Sequence, residues 1–159
     1  MIARIAMLCS SVLFAGLLVW SSAAPAQAGG DGIVRVKSAY AMGETVARLK
    51  ADVAQKGIMF FAEIDQAALA TKAGIALPPS TLLIFGNPPL GVQFITANAD
   101  AGIDWPVRLL VHQDETGQVW AVYTDFGYIA RRHHIGSRDA AFAMASTVIA
   151  SITSAVAAQ

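Results

Sequence analysis

The sequence predicts an α+β fold of two layers, a mostly antiparallel sheet with its helices on one face. Three observations predict it. A wholly apolar run, Leu82, Leu83, Ile84 and Phe85, halts at Gly86-Asn87-Pro88-Pro89, which reads as a strand buried on both faces and ended by a turn. Residues 106–112 and 118–124 alternate in face. Val107, Leu109 and Val111 oppose Arg108, Leu110 and His112, while Val119, Ala121 and Tyr123 oppose Trp120, Val122 and Thr124. The link Gln113-Asp114-Glu115-Thr116-Gly117 carries the acids and glycine of a longer hairpin loop. Finally, residues 139–157 hold Phe142, Ala145, Ile149, Ile152 and Val156 on one helical stripe, with enough Ala and Ser to lie close to a sheet.

The rest of the chain supplies the other elements. Residues 33–39 form a half-buried strand, Val34 and Val36 on one face and Arg35 and Lys37 on the other. Residues 42–56 form an amphipathic helix. Met42, Val46, Leu49 and Val53 fall at helical spacing, Glu44, Arg48, Asp52 and Lys56 line the solvated side, and Gly57 ends it. A strand at 58–64 runs into Asp65, a natural cap for a short helix over 66–73 that Gly74 closes. Asn87 is placed to cap a short helix through residue 95, beginning at Pro88 or, given the bias that Pro89 imposes, at Pro89. Residues 96–105 read as a loop. Residues 125–138 read as irregular or a short helix, and Ser137 is a candidate cap for the last helix.

Composition bounds the function. The chain has 159 residues, formal net charge +0 and a mean hydropathy of +0.53. Part of that hydropathy is an expected secretory signal peptide, residues 1–28: Arg4, an uncharged apolar stretch over 5–20, then small residues ending Ala26-Gln27-Ala28. The apolar stretch is short for a membrane span, which needs about 20 residues. Cleavage would leave one domain, 33–159, destined for the periplasm or the extracellular space. Cys9, the single cysteine, would go with the leader, removing any disulfide, thiolate metal site or thiol nucleophile. Without Arg4 the balance is 10 basic to 11 acidic side chains, which gives nucleic acid no basic patch.

The chain resembles the domain-of-unknown-function family number 302. The likeness is carried, in order, by Gly57 with Phe60-Phe61-Ala62-Glu63-Ile64-Asp65, by Leu82-Leu83-Ile84-Phe85-Gly86-Asn87-Pro88, and by Ile103-Asp104-Trp105-Pro106-Val107 through Val111. The acidic turn before Gly117, residues 119–126 and Ile129-Ala130-Arg131-Arg132-His133-His134 complete it. The resemblance implies a β-α-β(4)-α arrangement with a curved antiparallel sheet, and no established activity. Members commonly have histidine where this chain has Gln66, and G-T-x-L-M where it has Gly91-Val92-Gln93-Phe94-Ile95, so only Asp65 carries over at the first of these motifs.

Candidate site residues gather at expected strand ends and on aromatic faces. Asp65 and Asn87 each follow a strand and Asp104 precedes one, so the three could meet in a cleft, although Asp65 and Asn87 also suit helix caps. Trp120 and Tyr123 lie on opposite faces of one strand. With Trp105 and Tyr128 they could line a binding groove or a homodimer face, or simply pack. His133 and His134, with His112, lack the spacing of a metal site, so no metal or cofactor is expected. The helix start at Asn87 is a poor anion site, because two prolines remove donors.

Three readings follow. The favoured one is a non-enzymatic module that binds a small ligand or protein partner through Asp65, Asn87, Asp104, Trp120, Tyr123, Tyr128 and His133. The second is a hydrolase or isomerase using Asp65 with His133 or His134, which requires those side chains to converge. The third is a homodimer that pairs its sheet with a second copy. Motifs for a nucleophile elbow, a phosphate loop, a dinucleotide fold or a zinc protease are absent from the sequence.

Overall fold

The computed structural model describes residues 30–158, so the expected leader at 1–28 lies outside the described residues. Five strands form one sheet: β1 (Ile33–Lys37), β2 (Met59–Asp65), β3 (Ser80–Gly86), β4 (Val107–Gln113) and β5 (Val119–Thr124). They lie in the order β1-β5-β4-β3-β2, and every neighbouring pair is antiparallel. The helices are α1 (Met42–Gln55), α2 (Gln66–Lys72), α3 (Pro88–Ala97), α4 (Phe126–Arg132) and α5 (Asp139–Ser154). A 3-10 turn, Ala99–Ile103, occupies what read as a loop.

The core forms where the apolar side of the sheet meets helical stripes. Leu83, Phe85, Leu109, Val111, Ala121 and Tyr123 pack with Leu49 and Val53 of α1 and with Phe142, Ala145, Ile149 and Ile152 of α5. Their burial is the main stabilising contribution, about 25 cal/mol per Å² of apolar surface removed from water. β3 is an inner strand, as its apolar run predicts, but it is dry on one side only. Leu83 and Phe85 are buried, whereas Leu82 and Ile84 are half-buried. The reason is the two-layer build: the core helices pack on one face. On the other, a row in register across four strands, Val122, Leu110, Leu82 and Ile64, gives partial cover.

Helix ends follow backbone chemistry. α1, α2 and α4 each end with paired bonds, one from the residue in the left-handed conformation and one from the next. Gly57 donates to Ala54 and Ile58 to Val53; Gly74 donates to Thr71 and Ile75 to Ala70; His134 donates to Arg131 and Ile135 to Ala130. The two glycines were legible as stops, but the third such position falls on a histidine. α3 begins at Pro88, and Asn87 occupies its cap position without a side-chain cap bond. With Pro89 second in the helix, one N–H that a cap would accept is missing. α5 is entered from Arg138 rather than Ser137, because the first helical bonds run from Ala141 and Phe142 to the Arg138 carbonyl. β1 stops at Lys37 rather than Ala39, and Ser38 makes a lone bridge to Ala157.

Candidate functional site

Antiparallel pairing decides which strand ends can share a site. Asp65 closes β2 opposite Thr81, at the start of β3, whereas Asn87 follows the far end of β3. Thr81 to Phe85 spans about 13 Å of strand. Val107 pairs with Phe85, so Asp104 and Trp105 lie at the Asn87 end. The cleft expected from Asp65, Asn87 and Asp104 together therefore does not form. Asp65 is instead a cap: its Oδ1 accepts from the Ala68 N–H at 2.8 Å. Gln66, beside it, accepts from the Ser80 hydroxyl at 2.7 Å. Separated in this way, Asp65 cannot act with His133 or His134, and the hydrolase reading built on those pairs is lost.

Asp104 and His133 do come together. The 3-10 turn is capped by Asn98, whose Oδ1 accepts from the Asp100 N–H at 3.0 Å and whose Nδ2 donates to the His133 carbonyl at 2.9 Å. This double hold places Asp104, at the end of the turn, against the end of α4. The Asp104 side chain is 3% exposed. Its Oδ2 meets His133 Nε2 at 2.6 Å. Arg132 Nη1 donates to both carboxylate oxygens at 3.2 Å, and Arg108 Nη2 donates to Oδ1 at 3.2 Å. One carboxylate is thus matched to two guanidiniums that are each about half exposed, 48% for Arg108 and 47% for Arg132. A lone arginine in an alternating strand gave Arg108 no signal in the sequence. Arg132 was visible only as part of a basic run.

Next to this cluster Trp105 forms one wall of an apolar recess. Its indole lies on Gly86 and Gly91: a Cβ on Gly91 would sit 1.9 Å from the indole nitrogen and one on Gly86 3.1 Å away. The recess has a volume of about 40 Å³, and its walls include Phe85, Phe94, Phe126, Val148, Ile149 and Trp105. It shares Ile58, Asn87, Leu90 and Val148 with an outer cleft of about 300 Å³, where Lys56, Thr147 and Ser151 add polar groups. Asn87, free of a capping role, stands where the two meet.

The other candidates are placed elsewhere. Tyr123 faces the helix layer, where burial pushes its phenol pKa above the ordinary value. Trp120 is on the opposite face, pairs with His112, and donates from Nε1 to Asp114 Oδ2 at 2.7 Å. Tyr128 covers Gly32, whose added Cβ would come within 2.3 Å of the ring. His112, near the far end of the sheet, shares no site with His133, and His134 is exposed. Among the described residues no group of three or more His, Cys, Asp or Glu side chains could hold a metal ion. Nor is any described helix long and apolar enough to cross a membrane.

Comparison with known proteins places this architecture. A crystal structure of an uncharacterised conserved protein DUF302 from Bacillus stearothermophilus superposes with a TM-score of 0.71, covering 79% of this chain and 98% of that one at 17% identity, a likeness of fold. Fluoride-specific ion channel FluC 1 of Brucella suis biovar 1 is 37% identical over 106 residues, 67% of this chain and 42% of that protein. The FluC 1 protein of Brucella abortus biovar 1 matches equally over 39% of its length, so the chain spans about two fifths of the curated relatives it matches. Residues 34–158 match the domain of unknown function DUF302, and the chain belongs to that family.

Proposed function

We propose that the chain is an exported, non-catalytic module that binds a small molecule with an apolar body and one polar head. The observation that carries this reading is the recess beneath Trp105, apolar within and polar at its mouth, the usual composition of a small-molecule site. The leader-like residues 1–28 support export. The absence from the sequence of a nucleophile motif, and the separation of Asp65 from His133, favour binding over turnover. Titrating the chain with hexanol while following tryptophan fluorescence and melting temperature tests the reading. Saturable quenching with a raised Tm is expected, and a chain indifferent to hexanol and octanol would contradict it.

A partner role is a second reading. The matching of this segment to part of longer proteins named as fluoride-specific ion channels supports a module that works beside another protein. The outer edge of β2 supports self-association: among the described residues it has no neighbouring strand, and it exposes Met59, Phe60 and Phe61, the last at 44%. Light scattering at micromolar concentration separates these possibilities. A dimer that Phe61→Lys dissolves supports pairing of β2 with a second copy, and a monomer rules it out.

A further inference from the structure

The outer cleft that opens from the recess beneath Trp105 offers no free charge. Among the described residues, Lys56 is the only charged side chain that lines it, and its Nζ already donates to Asp52 Oδ2 at 2.6 Å. Lys56 is also the C-cap of α1, and Ser151 lies in the last turn of α5. Two helices thus bring their carbonyl ends to the cleft, where an arriving anion is disfavoured. A second cation would meet Lys56 itself. The start of α3 gives an anion nothing in return. Pro88 and Pro89 have no N–H, and the N–H groups of Leu90 and Gly91 both donate to the Asn87 carbonyl, at 3.0 and 2.9 Å.

Three neutral polar side chains remain at the cleft, on Asn87, Thr147 and Ser151. Asn87 is exposed and its side chain makes no cap bond, so its carboxamide can both donate and accept. Thr147 Oγ1 donates to the Ala143 carbonyl at 3.0 Å, which commits its hydrogen and leaves it an acceptor. Ser151 can take either role. A head group that matches this set donates to Thr147 and accepts from Asn87 Nδ2. A carboxylate cannot donate, and an ammonium cannot accept. We propose that the ligand of the recess carries a neutral head that does both, a primary amide or a hydroxyl, and that Asn87 is the residue that selects it. This selection rests on the recess holding a ligand, as proposed above. The apolar body lies against Ile58, Leu90 and Val148, which line recess and cleft alike, with its head at Asn87.

Calorimetric titration of the full chain with hexanamide, hexanol, hexanoate, hexylammonium and methyl hexanoate tests the proposal. Hexanamide and hexanol should bind about tenfold more tightly than hexanoate or hexylammonium, the affinity equivalent of a hydrogen bond lost. Methyl hexanoate is neutral and more apolar than hexanamide but has no proton to donate. It should bind less tightly than hexanamide, which separates recognition of the head from hydrophobicity of the body. Asn87→Asp replaces the amide donor with a second acceptor, and should turn the preference toward hexylammonium. Failure of all five compounds to bind would remove the recess as a ligand site, and the selection with it. Hexanoate or methyl hexanoate binding as tightly as hexanamide, or an Asn87→Asp chain that keeps the original order, would overturn the selection alone and leave the recess as a site.

Discussion

At Asp104, two carboxylate oxygens accept from three side chains on two elements, Arg108 on β4 and Arg132 and His133 at the end of α4. Removing the carboxylate leaves a buried imidazole without its partner and α4 without its tie to the sheet. Asp104→Ala should therefore cost about 1–3 kcal/mol in chemical denaturation, the range for leaving a buried polar group without its partner, since the two arginines are half exposed and can turn to water. His134 invites the opposite change. Its φ of +52° lies in the left-handed region, where glycine sits without strain. His134→Gly should raise unfolding free energy by about 1 kcal/mol, because the strain relieved is about 1–2 kcal/mol and glycine returns some entropy to the unfolded chain. Asp114 should show itself in pH. Hydrogen bonds from Thr116 and Trp120, joined by the Gln118 and Thr116 backbone, hold its pKa at about 2, below the ordinary 3.8. A depressed carboxylate stabilises the folded state above its unfolded pKa, and that contribution fades as pH falls through about 2. Carbon NMR of the Asp114 carboxyl should give a midpoint near 2, and a Trp120→Phe variant should raise it.

Among the elements, Gly91 and Trp105 show what sequence spacing leaves hidden. Gly91 sits in an ordinary-looking helix, and its necessity appears only once the indole is seen resting on it. Gly91→Ala should displace Trp105, cost about 1–3 kcal/mol as overpacking does, and shift tryptophan emission. Gly86→Ala, with a 3.1 Å approach, should be milder. The elements that could be read were those with a strong period or a glycine stop. The α1 stripe of Leu49 and Val53, the β4–β5 hairpin faces and the ends at Gly57 and Gly74 all stand where their side chains require. The 3-10 turn could not be read, because it is fixed by Asn98 reaching to a carbonyl 35 residues away.

For the whole molecule, the lesson concerns strand direction. Asp65 and Asn87 each follow an apolar strand, and reading both as strand-end residues suggested a shared cleft. Antiparallel neighbours end at opposite edges of a sheet, so the two could not meet. Asp104 and Asn87 share an edge for the same reason, since β4 starts where β3 stops. The half-burial of Leu82 and Ile84 is likewise set by the number of layers, which a short apolar run cannot declare. The two tryptophans among the described residues, Trp105 just before β4 at one end of the sheet and Trp120 in β5 near the other, supply a built-in comparison. The most direct measurement is therefore proton–nitrogen NMR of the two indole N–H groups during titration with hexanol. Binding in the recess moves the Trp105 resonance along a saturable curve and leaves that of Trp120 in place. A Trp105 resonance that stays fixed, or moves only in step with Trp120, would contradict the recess as a ligand site.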